Sequence, residues 1–274
     1  MKLYHFLGIA LVALGLSACK SDLDSIPDSF PKTHLIEEFT GQGCGHCPRG
    51  MDSVHAFMEK NPNYILVLHH TYGTDNFTVY GSQKIANKLN VSAAPQACID
   101  RTKTKSADGN KIVFNPISAL HNFDTEQLAS TTYASVNIAN EYDPETRLLQ
   151  VTVSGEICTK DYPQLKLTVL VKESGMIAAQ ADFYHTENGW KEFRHANAVR
   201  AVLSDPTGDI VKVNKQRYSD TFAFQMSKKW NLDNCSVVAF LTEDFKPVIQ
   251  AAEKPVIEGT KGGADILHEG ITPY

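Results

Sequence analysis

The chain has no excess of basic residues. Its formal charge is −5, and no Lys/Arg-rich patch stands out. This excludes the electrostatic footprint of a nucleic-acid binder, so no nucleic-acid partner is expected. It also lacks a second metal-spaced ligand pair to complement Cys44-Gly45-His46-Cys47, which leaves a zinc reading of that motif without a full ligand set. His46, His69 and His70 are the spare imidazoles nearby, but they supply no such pair; no metal and no cofactor are expected. Beyond residue 16 no run is apolar enough to span a bilayer as a helix, so the remainder is expected to be soluble.

At the start of the chain, Lys2 is followed by a short apolar run from Leu7 to Leu16. Its length is that of a signal-peptide core rather than a permanent span. Leu16-Ser17-Ala18-Cys19 resembles the lipobox of bacterial lipoproteins. That resemblance implies removal of residues 1–18 and lipid on Cys19, whose acyl chains would hold the protein to a membrane. Loss of Lys2 takes the charge to −6. Residues 19–33 are polar, carry Pro27 and Pro31, and read as a tether. Their acidic stretch Ser21-Asp22-Leu23-Asp24 faintly resembles signals that send some lipoproteins to the cell surface, and it reads equally as a solvated linker. The mature length suits two domains.

Residues 34–130 form the first. His34–Thr40 reads as a strand and Gly41-Gln42-Gly43 as a turn. A helix from Cys44 through Lys60 has Met51, Val54, Phe57 and Met58 at helical spacing. Asn61-Pro62-Asn63 stops it. Tyr64–His69 has the continuous apolar character of a buried strand. A short helix over 82–89, strands over 97–99 and 111–114, and a closing helix over 123–130 complete the order.

Two cysteines three apart at a helix start can form and break a disulfide with little backbone motion. The first lies at the positive end of the helix dipole, where a thiolate is stabilised. Thiolate is the attacking species in disulfide exchange. Cys44 is therefore the expected nucleophile and Cys47 the resolving thiol, the more buried of the two. A structural disulfide remains the alternative, although so small a loop stabilises little. His46 between the cysteines favours the reduced state when protonated, so the pair is expected to be more oxidising than a plain thioredoxin's, nearer roughly −180 mV than −270 mV.

Glu38-Phe39-Thr40-Gly41-Gln42-Gly43-Cys44-Gly45-His46-Cys47 resembles the active-site segment of protein disulfide isomerases and thioredoxins. The resemblance implies a thioredoxin-like α/β fold. It implies that Glu38 is a buried carboxylate exchanging a proton with Cys47; a strand-end glutamate facing water, with Glu37 as its rival for burial, is the other reading. Val91-Ser92-Ala93-Ala94-Pro95 resembles the segment that ends in the family's cis-proline beside the disulfide. Gly43 departs from the family's tryptophan, and Thr71–Gly81 adds length that can form a lip over the site or pack down through Tyr72, Phe77 and Tyr80.

Residues 131–274 turn to strand signals. Ala134–Ile138, Leu148–Ile157, Leu165–Val171, Thr221–Phe224, Ser236–Leu241 and Val248–Ala252 are short and separated by turns, the pattern of an all-β, immunoglobulin-like sandwich. His195–Leu203 reads as a helical or bent crossover. His195-Ala196-Asn197-Ala198-Val199-Arg200, Val237–Phe240 and Val248–Ala251 resemble the second half of the 28-kDa outer membrane protein family, bacterial lipoproteins of the cell envelope. No catalytic constellation is visible here; His195 and Arg200 are ligand or structural candidates. Cys98 is expected to be a buried free thiol. Cys158 and Cys235, at strand edges in an exported chain, are expected to pair.

Two functions follow. One is a membrane-anchored thiol–disulfide oxidoreductase acting on exported protein thiols and disulfides with a separate redox partner. The other is an outer-membrane or surface lipoprotein with a binding or adhesion role, in which the cysteine-bearing half is a scaffold.

Overall fold

The computed structural model describes residues 26–106, 108–184 and 189–263. The leader, Cys19 and the start of the tether lie outside the described residues. The first half supplies strand β1 (His34–Thr40), helix α1 (Cys47–Lys60), β2 (Tyr64–His70), helix α2 (Tyr80–Lys88) and β3 (Gln96–Ile99). The second supplies β4 (Asn137–Asp143), β5 (Leu148–Glu156), β6 (Leu165–Glu173), β7 (Met176–Ala181), β8 (Trp190–His195), β9 (Ala198–Val202), β10 (Arg217–Gln225), β11 (Cys235–Glu243) and β12 (Val248–Pro255).

One mixed sheet runs through both halves in the order β12-β11-β6-β9-β2-β1-β3, with the short strand Asp209–Ile210 added beside β6. β2 lies parallel to β1, and its other edge is taken by β9, also parallel, with Ala198 opposite Leu68. Leu68 N donates to Asn197 O at 2.8 Å across this seam. An unpaired edge of buried strand would leave amides without partners, and the second half supplies them. An α/β thioredoxin-like domain followed by a separate sandwich is therefore not the architecture of this chain. Strand dominates, and the principal sheet draws on both halves.

β4, β5 and β10 form a three-stranded antiparallel sheet. Its inward residues Leu149, Val151 and Val153 pack on Leu167, Val169, Val171, Val237 and Ala239 of the main sheet, a β-sandwich arrangement. α1 covers the first-half strands with Met51, Val54 and Phe57 against Ile36, Leu66 and Leu68. A further core unites the halves: Leu35 and Val67 meet Leu170, Val199, Val238 and Phe240.

Several local expectations change. His195–Leu203 is not a helical crossover but the end of β8 and strand β9. No helix spans 123–130; a one-turn helix at Pro116–Ala119 and a 3-10 turn at Thr125–Gln127 stand nearby. Of the strand expected at 111–114, only Phe114 reaches β3, bridging Ala97. Among the described residues no helix is long and apolar enough to cross a membrane.

Candidate functional site

The first helical turn gathers most of the expected site. α1 begins at Cys47, with His46 as its N-cap and Pro48 in the first turn. Proline is tolerated there because those amides have no helical partner. Cys44 lies in the preceding turn, its N–H donating to Gly41 O at 3.0 Å. Cys44 and Cys47 are joined by a disulfide with Cα atoms 5.3 Å apart. Both are buried, Cys47 fully and Cys44 to 4% exposure.

Gly50, three residues beyond Cys47 on α1, packs against Glu38 and Pro95. A Cβ on this glycine would stand 2.6 Å from Pro95 Cβ and 2.8 Å from Glu38 Oε1. Only a residue without a side chain lets α1 lie this close to both. The Ala94–Pro95 peptide is cis. Both carboxylate oxygens of Glu38 are buried without a hydrogen-bond partner. Burial, reinforced by the charge of Asp52, pushes its carboxyl well above the ordinary carboxylate range.

Glu37, also fully buried, projects to the opposite face. It accepts from Arg101 Nε at 2.7 Å and Nη2 at 2.8 Å, and lies 3.3 Å from His69 Nε2. Burial opposes its ionisation, but Arg101 and His69 outweigh that and hold it well below the usual range. Arg101 is itself buried between the rings of Phe240 and Phe245. His69 also shares a hydrogen bond with Ser82 Oγ, and His70 with Asp75. His69 is a satisfied core group, whereas His70 is buried with its Nε2 unpartnered.

A hairpin arm that sequence reasoning missed packs on the turn that carries Cys44. Among the described residues β7 and β8 pair only with each other. Ala181 N donates to Gln42 O at 2.7 Å, and Gln42 Nε2 returns a bond to Ala179 O at 2.7 Å. Gln180 Nε2 donates to Gly41 O and Cys44 O at 3.2 and 3.0 Å. Phe183 N donates to Gly45 O at 3.1 Å, and the Phe183 ring lies so close over Gly45 that a Cβ there would collide with it. His46 Nδ1 shares a hydrogen bond with Tyr184 Oη at 2.9 Å, and Arg49 stacks on the Tyr184 ring. The sequence signal was weak because the arm stands off the sheets. Trp190-Lys191-Glu192-Phe193 lacks the strict alternation of a half-buried strand.

The remaining candidates fall elsewhere. In the Thr71–Gly81 segment Phe77 is buried against His70 and His195, whereas Tyr72 and Tyr80 face solvent. Packing thus accounts for Phe77. His195 is buried at the base of the arm; burial and the neighbouring His70 push it down to about 4. Arg200 pairs with Glu173 and stacks on Phe77 and Trp230. Cys98 is a buried free thiol, raised by burial and by Glu37. The expected Cys158–Cys235 disulfide is absent: both thiols are free. Cys158 follows β5 of the three-stranded sheet, whereas Cys235 opens β11 of the main sheet and turns its Sγ to Asn231 O at 3.3 Å. Among the described residues no group of three or more His, Cys, Asp or Glu could hold a metal.

HBP35 of Porphyromonas gingivalis shares the fold at a TM-score of 0.65 and 20% identity, over 90% of this chain and 81% of that one. A structural-genomics target of Agrobacterium tumefaciens aligns at 0.49 and 14% identity, over 83% of this chain and 96% of that one. No curated protein matches in sequence. The family model described as outer membrane protein Omp28 matches residues 82–259, more than half of the chain. This puts the protein at the outer membrane of a Gram-negative envelope and favours, at the coarse level, the surface-protein reading of the sequence. The chain belongs to the Omp28 family of outer membrane proteins.

Proposed function

We propose that this outer-membrane protein exchanges disulfides with exported protein thiols through Cys44 and Cys47. The observation that carries the reading is the packing of Gly50 against both Pro95 and the unpartnered carboxyl of Glu38, one helical turn from the disulfide. A buried acid without hydrogen bonds is costly, so a site that keeps one beside a disulfide has a use for its proton. In the oxidised form a client thiolate attacks Cys44 Sγ. The client–Cys44 bond forms, the Cys44–Cys47 bond breaks, and Cys47 leaves as a thiolate that takes the Glu38 proton. A second client thiolate then displaces Cys44. The client has become a disulfide, and the pair holds its two electrons. A separate redox partner reoxidises it, and lipid on Cys19 keeps the exchange at the membrane.

Trapping tests this reading. Cys47→Ser should accumulate mixed disulfides between Cys44 and envelope proteins, whereas Cys44→Ser should trap none and lose insulin reduction. No trapped species, together with equal insulin reduction by wild type and Cys44→Ser, overturns it.

The second reading is a surface binding or adhesion role in which the disulfide only braces the turn before α1. The family match supports it, and so do the hydrogen bonds that fasten the arm to the turn carrying Cys44. On this reading Cys44→Ser leaves binding of whole cells or host proteins intact.

A further inference from the structure

The arm holds the cysteine turn in an unusual manner. Residues 179–183 run alongside Gln42–Gly45 and donate two main-chain bonds to it, Ala181 N to Gln42 O and Phe183 N to Gly45 O. The one large side chain of that stretch, Phe183, is seated on the bare backbone of Gly45, between the two cysteines. The seat is open to solvent on its outer side. Phe183 remains 62% exposed and Tyr184 47% exposed, and Gln180 Oε1 is buried with no donor. Beside it Cys44 is buried, with 4% of its surface exposed.

We propose that residues 180–184 occupy the client-binding site of this protein. The incoming partner is an extended polypeptide carrying an aromatic side chain, which pairs with Gln42–Gly45 and places its ring on Gly45 in exchange for Phe183. Gly45 gives the seat its shape, because any side chain there would fill it. The inference deepens the disulfide-exchange reading and rests on it, but its consequences appear in sulfur accessibility and peptide binding, neither of which needs turnover.

The test compares wild type with Phe183→Ala, a change at an exposed position that leaves the core untouched, and with Phe183→Leu, which keeps an apolar group but no ring. The oxidised proteins are treated with dithiothreitol under native conditions, and reduction of Cys44–Cys47 is followed by alkylation and mass measurement. Reduction should be at least tenfold faster in Phe183→Ala, with Phe183→Leu between. A labelled peptide of the arm's own residues, Ala-Gln-Ala-Asp-Phe-Tyr, should bind Phe183→Ala at least tenfold more tightly than wild type. Exchanging its Phe for Ser should abolish that binding. Equal reduction rates in the folded proteins overturn the proposal. So does an accessible disulfide in Phe183→Ala with no gain in peptide binding, which makes the arm a plain shield. If proteins with these expected properties trap no client in the Cys47→Ser background, the disulfide-exchange reading fails on its own.

Discussion

Glu37 and Glu38 are neighbours on one strand, both wholly buried, and chemically opposite. Glu37 points to the face that the second half of the chain packs against, where Arg101, His69 and the rings of Phe240 and Phe245 surround it. Glu38 points to α1, finds no partner, and rests against Gly50 near the disulfide. A strand alternates its side chains, so one residue step carries a carboxyl from a fully satisfied environment to an unsatisfied one. The difference separates architecture from chemistry. The paired glutamate ties the two halves together, and the lone one is the proton source of the proposed exchange.

The largest effect is expected on the paired face. Arg101→Ala strands a buried carboxylate and should cost about 3–5 kcal/mol of stability in urea unfolding. Glu37→Gln with Arg101→Met, which removes both charges, should recover much of the loss. A cost below about 1 kcal/mol for Arg101→Ala would erase the contrast between the two glutamates.

On the other face, Glu38→Gln should stabilise the fold while impairing exchange. A carboxyl raised above its unfolded value gives its full stabilisation below the unfolded pKa of about 4.3 and loses it as pH rises toward the folded value. The gain in Tm from Glu38→Gln should therefore grow between pH 5 and pH 8. Exchange should slow by on the order of 10²-fold if the carboxyl moves the proton. A Tm that falls at every pH would mean that Glu38 is as well satisfied as Glu37.

His195 allows a milder comparison. Its pKa, lowered to about 4, means that the unfolded chain takes up a proton first, so it withdraws stability as pH falls from about 6.5 to about 4. His195→Phe keeps a ring among Phe77, Phe193 and His70 and should flatten part of that acid loss. Identical pH–Tm curves would contradict this. The smallest effect belongs to Cys158→Ser, expected within about 0.5 kcal/mol because the thiol is unpaired. A loss of about 2–5 kcal/mol would instead signal a disulfide.

The elements around the cysteines were legible because their signals are local. Ile65–Leu68 is an apolar run, Leu35, Ile36 and Phe39 mark the strand before it, and Cys44–Cys47 stands at the start of a helix with apolar residues at helical spacing. The architecture was not legible, because it depends on which strand edges meet. Ala198 opposite Leu68 joins residues 130 apart, and nothing within His195–Leu203 announces a parallel partner. The arm escaped because it buries itself on a turn rather than on a sheet. The Cys158–Cys235 pairing failed because two thiols at strand ends say nothing of which sheets those strands enter.

The reduction potential of the Cys44–Cys47 pair, measured in glutathione buffers and read by alkylation, tests the proposed disulfide exchange most directly. With His46 between the cysteines, a redox-active pair should lie nearer roughly −180 mV than −270 mV. A potential below about −300 mV, that of a disulfide kept only as a brace, would contradict it.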